Sequence, residues 1–218
     1  MPKTTNPDPL SHIPLSRERI LLAAIDLADK DGIELLSMRK LAQEMGVKAM
    51  SLYNYVTNKD DILDSIVDIV VSEIESPKIG GDWRDAMRRR AISAHEMLLH
   101  HPWAAMALMS RMNVGPAMLK YVDMTLGCLC EAGFSFKMAD HATNVIDSHI
   151  YGFTLQELNF PINESDYSKM AAEGLSIIPA NKYPYLNKLT HQVIEGSYDG
   201  IHNFEFGLEL ILNGLEPI

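Results

Sequence analysis

From Ser16 onward the apolar residues return every three or four positions, and glycines stop the runs. Ile20, Ala23, Ala24, Leu27 and Ala28 form the first stripe, with Ser16 placed to cap it and Gly32 to end it, which predicts a helix over 16–31. Ser37 can cap a second, short helix carrying Leu41, Ala42 and Met45, which stops at Gly46. Val47 and Lys48 then lead into a third, Ala49 to Tyr55, with Leu52 and Val56 turned inward. Asn58 caps a longer fourth helix, 59–76, carrying Ile62, Ile66, Ile69, Val70 and Ile74 and closed by Pro77 and the Gly80-Gly81 pair. Two short helices around a glycine turn, backed by a longer helix on either side, read as helix-turn-helix.

Beyond Gly81 the period stays helical, with segments expected at 82–100, 103–111, 114–132, 135–158, 182–195 and 200–214, and no alternating strand pattern. The stretch INESDYSKMAAEGLSIIPANKYP mixes charge, Gly and Pro without sustained period and reads as a mobile loop. The expected fold is all-α: a disordered leader at 1–14, a three-helix helix-turn-helix domain at 15–62, the linking helix at 59–76, and a larger helical domain at 77–218. No apolar run is long enough for a membrane span, and MPKTTNPDPLSHIP lacks the apolar stretch of a secretion signal, so a cytoplasmic protein without membrane partners is expected. Cys128 and Cys130 sit two apart in a helical pattern, their side chains diverge, and both read as buried thiols.

The net charge of −10 would argue against nucleic acid, but it is unevenly placed. Residues 1–59 carry eight Lys/Arg against seven Asp/Glu, whereas the rest carries eleven against twenty-two. Binding follows the local field of one face, not the sum. The second helix of a helix-turn-helix enters the major groove. Here that would expose Lys48, Ala49, Ser51, Asn54 and Tyr55, with Arg39 projecting beside them from the preceding helix and Tyr53 and Lys59 reaching the backbone phosphates. Asn can pair with adenine and Arg with guanine, each worth about 1 to 3 kcal/mol of discrimination. On spacing alone the same helices could equally be a packing unit, with the tyrosines in a core.

The segments RKLAQEMGV, SLYNYV and NKDDIL resemble the DNA-binding domain of the tetracycline-repressor (TetR) family over Leu15 to Leu63. The tail FEFGLELILNGLE and GFS at Gly133 to Ser135 are similar to the tetracycline repressor's own branch. The resemblance implies a ligand-responsive repressor that binds a palindromic operator as a homodimer. By matched position, Arg39, Ser51, Tyr53, Asn54, Tyr55 and Lys59 inherit DNA contacts, those of Tyr53 and Lys59 to phosphate. Met38 and Met50 replace smaller or polar family residues at the groove edge, and Asn54 stands where an aromatic often does.

Repressors of this type dimerise through a four-helix bundle. The last helix fits, because Phe204, Phe206, Leu208, Leu210, Ile211, Leu212 and Leu215 make it apolar on more than one face, with the 135–158 helix as its partner. A fully buried central helix in a monomer is the alternative. Met97, Met106, Met109, Met112, Met118 and Met124, near Trp103 and Tyr121, suit either plain core or an adaptable pocket. The family likeness favours a pocket involving Ala94, Trp103, Leu108, Met112, Tyr121, Met124 and Gln156. Leu108 falls where a tetracycline repressor has its metal-coordinating His, and Gln156 where a carboxylate helps hold metal-bound water. A more apolar or amphipathic effector than metal-chelated tetracycline is therefore expected.

The run HEMLLHH, His95 to His101, looks like a zinc-protease motif, but spacing four from His95 falls on Leu99, and His100 lies about 140° round the helix. With no phosphate loop and no nucleophile elbow, an enzyme, a metal or a cofactor is not expected. A helical dimer that binds small molecules without regulatory DNA binding is the remaining functional alternative.

Overall fold

The computed structural model describes residues 14–160, 166–200 and 202–217, and among these it contains helices and no strand. The expected leader lies almost wholly outside the described residues. The helices are α1 (Arg17–Asp31), α2 (Met38–Glu44), α3 (Ala49–Leu52), α4 (Lys59–Val71), α5 (Trp83–His100), α6 (Pro102–Ser110), α7 (Pro116–Glu131), α8 (Phe136–Leu158), α9 (Tyr167–Gly174), α10 (Pro184–Ile194) and α11 (Phe204–Gly214). Among the described residues, no helix is long and apolar enough to cross a membrane.

Local chemistry sets the ends of the first four helices. The Ser16, Ser37 and Asn58 side chains each accept from a backbone N–H in the first turn they cap. Gly46, at φ 66°, makes the turn from α2 towards α3 that a side-chain-bearing residue would strain. Ile20, Ala24, Leu27, Leu41, Leu52, Val56 and Ile62 close a small buried core behind this head.

Three expectations need adjusting, and one turn was not foreseen. The recognition helix is shorter than 49–55: α3 ends at Leu52, and residues 53–55 turn so that Val56 reaches the core beside Leu52. The linking helix ends at Val71 rather than 76, as Ser72 donates back to the Ile69 carbonyl and the chain unwinds towards Pro77. A 3-10 turn, Ile33–Leu35, joins α1 to α2. The stretch read as a loop contains α9 and a 3-10 turn at Leu175–Ile177, while residues 161–165 lie outside the described residues. Helix α9 fully buries no residue; its inward face is the half-buried Tyr167, Ala171 and Gly174, too short a stripe to stand out from the charge and Gly around it.

Helix α4 joins the head to the body, and its apolar face, Ile62, Leu63, Ile66, Val67, Val70 and Val71, belongs to one continuous core. Its polar face carries carboxylates that accept from elsewhere in the chain. Arg17 of α1 donates to Asp61 at 2.6 Å, to Ser65 at 2.7 Å and to the Tyr55 carbonyl at 3.0 Å. Arg111, just past α6, donates to Asp64 at 2.7 Å and to Asp60 at 3.3 Å. Asp68 accepts from the Ala117 and Met118 amides at 3.2 and 2.9 Å, and so caps the start of α7. A Cβ on Gly115 would fall 2.2 Å from that carboxylate, so this approach requires glycine.

A second tie crosses between head and body. The Trp103 indole donates to Asp29 Oδ1 at 2.6 Å, and His101 Nδ1 lies 2.8 Å from the same oxygen. The other nitrogen of the buried His101 ring faces Glu73 at 3.3 Å.

The hydrogen bond from Arg17, helped by the Thr57 amide, more than offsets burial and holds the Asp61 carboxyl at about 2. That lies below the value of about 3.9 for an unfolded Asp. The contact therefore stabilises the fold fully above about pH 4 and is lost as pH falls through about 2. Asp61→Asn is expected to lower the urea midpoint at neutral pH, with a deficit that shrinks steadily below about pH 4. A deficit independent of pH would show that the ion pair contributes nothing to stability.

Candidate nucleic-acid interface and small-molecule site

The head presents one polar edge whose back is fixed by Leu52 and Val56, both buried. Arg39 on α2, Lys48 at the N-cap of α3, and Tyr53, Asn54 and Tyr55 in the following turn are exposed, while Ala49 and Ser51 are half-buried. Lys59 stands half-buried at the first position of α4. Met50, at 74% exposure, is the most prominent apolar group on this edge. The basic groups divide by use: Lys40 pairs with Asp31 at 2.8 Å and Arg17 with Asp61, whereas Arg39, Lys48 and Lys59 have no ion-pair partner among the described residues. The three carboxylates at the start of α4, Asp60, Asp61 and Asp64, are offset by two arginines, Arg17 and Arg111, which reduces repulsion for an anion approaching beside it. The sequence reading missed both arginines, because their partners lie 44 to 51 positions away.

The residues expected around a small molecule are distributed over several places. Gln156 lines a cavity of about 580 Å³ between α5, α8 and the start of α11, together with His95, Phe153, Glu157, Tyr167 and Phe204. There the Phe204 ring is stacked between His95, at 4.2 Å, and His149, at 4.9 Å. Burial lowers the His95 pKa against the opposing pull of Glu157 and Glu96, while its Nδ1 lies 2.8 Å from Thr154 Oγ1. Met112 lines a separate cleft of about 400 Å³ between α4 and the 112–116 segment. Trp103 is engaged with Asp29 of the head. Ala94 and Tyr121 are buried, with Leu108 and Met124 half-buried, in the α5, α6 and α7 layer. No group of three or more His, Cys, Asp or Glu side chains could hold a metal ion among the described residues. The zinc-like His95 and His101 are occupied by separate contacts.

One group that the sequence reading passed over stands out. Arg90 is fully buried, its Nη2 donates to Asp147 Oδ1 at 2.6 Å, and its guanidinium lies 4.5 Å from the centroid of the Tyr121 ring. Its Nε and Nη1 have no acceptor among the described residues. Burial lowers the Arg90 pKa, but Tyr121, Asp147 and Tyr151 together raise it further, so it stays charged. Burial also pushes both tyrosine hydroxyls up, which keeps them neutral. The signal was present in the sequence: of Arg88, Arg89 and Arg90, only Arg90 falls in phase with Ala86, Met87, Ala94 and Met97.

Comparison with known proteins adds a history to this geometry. The family described as bacterial regulatory proteins, tetR family, matches residues 20–66, and the one described as tetracyclin repressor-like, C-terminal domain, matches residues 76–218. The HTH-type transcriptional repressor DrrR1 of Streptomyces coeruleorubidus is 29% identical over 214 residues, covering 94% of this chain and 78% of its own. The tetracycline repressor protein class C of Escherichia coli is 30% identical over 207 residues, covering 94% of this chain and 92% of its own. Among solved structures, the Streptomyces coelicolor TetR family protein ActR in complex with actinorhodin is similar with a TM-score of 0.78 at 28% identity, over 92% of this chain and 95% of that chain.

Proposed function

Because the chain belongs to the tetR family of bacterial regulatory proteins, we propose that it is a transcriptional repressor that binds a palindromic operator as a homodimer and is released by an amphipathic small molecule. Residues 15–62 are the DNA head, 59–76 the link, and 77–218 the ligand-binding and dimerisation body. The observation that carries this reading is the edge of the head, where Arg39, Lys48, Tyr53, Asn54 and Tyr55 are exposed while Leu52 and Val56 behind them are buried. Arg39 and Asn54 have the donors and acceptors to read base edges. Lys48, Tyr53 and Lys59 are placed to hold phosphates, with Ala49, Ser51 and Tyr55 completing the surface.

A homodimer is supported by α8 and α11. Helix α11 turns Phe204, Leu208 and Leu212 into its own subunit but leaves Phe206 at 68% and Leu210 at 62% exposure. Helix α8 presents Val145 with the small Ser148 and Gly152 on its outer side. Two such pairs would bury each other in a four-helix arrangement. The effector site is assigned to the seam of α5, α7 and α8, with Ala94, Tyr121 and Met124 on its walls and Leu108 beside it. ActR, solved with actinorhodin, gives a relative with a bound small molecule. Occupancy of the seam would displace α7, and Asp68 would carry that displacement into α4 and the heads.

Two experiments test this. On an operator selected from random duplexes by the wild-type protein, Arg39→Ala and Asn54→Ala should each cost about 1 to 3 kcal/mol and relax sequence preference. Lys59→Ala should weaken all duplexes alike and reduce the salt slope by about one. Failure of the wild type to enrich any duplex would overturn the repressor reading. Leu210→Glu, a change on a surface exposed in the single subunit, should leave helicity intact and give a monomer in sedimentation, with operator affinity lost because the two heads are no longer joined. A Leu210→Glu protein that stays dimeric would remove α11 from the interface.

A further inference from the structure

Arg90 is a costly residue for a structural role. A guanidinium cannot shed its proton, so its burial must be offset by acceptors, and each N–H left without one adds to the cost. Here one carboxylate serves Nη2, and the Asp147 side chain retains 21% exposure while that of Arg90 has 0%. The stack on Tyr121 satisfies the face of the guanidinium but none of its N–H edge. A buried ion pair is often replaceable by apolar side chains without loss of stability, so packing alone does not call for this charge.

Beside Asp147 and the neutral hydroxyls of Tyr121 and Tyr151, which offer no second anionic acceptor, the positions around Arg90 include apolar and adaptable side chains. Ala94 follows it by one turn of α5, and Met118 and Met124 lie one turn either side of Tyr121 on α7. Unbranched, polarizable Met side chains repack at little cost, which suits a seam that must adapt to admit a guest. Cys128 and Leu129, further along α7, are buried and extend the apolar surface.

We infer that Arg90 is the recognition residue for an organic acid: the effector carries a carboxylate or phenolate oxygen on an apolar, ring-containing body, and that oxygen accepts from Arg90 Nε and Nη1 while the body displaces Met118 and Met124. This rests on the repressor reading only for the consequence of binding, not for the site itself. It narrows an amphipathic effector to an anionic one. Charge-assisted hydrogen bonds in a water-excluded site discriminate strongly against a guest that lacks the acceptor charge.

The test uses the full chain and a panel of fused-ring carboxylic acids, from 2-naphthoic to 1-pyrenebutyric acid, each paired with its methyl ester and titrated by calorimetry. The wild type should bind at least one acid about tenfold or more tighter than its ester, the share of a hydrogen bond to a charged group. In Arg90→Met/Asp147→Leu, which removes both charges together and retains an apolar filling, the preference should vanish without a fall in Tm. Arg90→Gln, which keeps donors without the charge, should lose most of the preference too and serves if the double variant does not fold. No acid preferred over its ester in the wild type, or a preference that survives both substitutions, overturns the inference. Operator binding measured with the same probes separates the two readings. Acids and esters releasing DNA equally would keep the repressor and remove the acid site. Acid preference with no change in DNA affinity would keep the site and remove its regulatory use.

Discussion

The arrangement depends on four aspartates along α4, held by donors from three other parts of the chain. Asp61 is bound by α1, Asp60 and Asp64 by Arg111 after α6, and Asp68 by the first amides of α7. Without those donors the helix would carry a row of like charges beside the exposed polar edge of the head. With them, its polar side becomes the set of fastenings that places the head on the body, while its apolar side supplies the shared core. Hydrogen bonds are directional and short in range, so a displacement that packed side chains would absorb is enough to release them.

The head was legible in the sequence because its determinants are local. Ser16, Ser37 and Asn58 cap the helices that they precede, Gly46 supplies the turn, and the stripe of Leu41, Leu52 and Val56 fixes by elimination which residues are left outside. The length of α3 was not legible, since its end at Leu52 is set by Val56 turning into a core assembled from α1 and α4. Helix α9 was missed for a different reason: its inward face is only Tyr167, Ala171 and Gly174, none of them fully buried, and so short a stripe does not stand out from the charge, Gly and Pro around it.

The body was legible as helices but not as a site. Methionine and aromatic residues at helical spacing mark an apolar face without saying which neighbour covers it. Trp103 illustrates this, since its indole is committed to Asp29, 74 positions earlier in the chain. Tyr121 gains its significance from Arg90 beneath its ring, a pairing between α5 and α7 that only the three-dimensional arrangement supplies. Arg90 itself was readable as a charge in an apolar stripe, and the two neighbouring arginines, each paired with surface carboxylates, disguise it.

Gly115 has a consequence for the order in which the chain can assemble. Helix α7 opens with Pro116, which has no N–H to place, and its next two amides find their acceptor in Asp68, 49 and 50 residues upstream. The first turn of α7 is therefore completed by a long-range contact, and the entropy of closing that loop is met before the capping bonds are gained. Capping of α7 is in this way tied to the arrival of α4, so the start of one helix gains its order only when the other is in place.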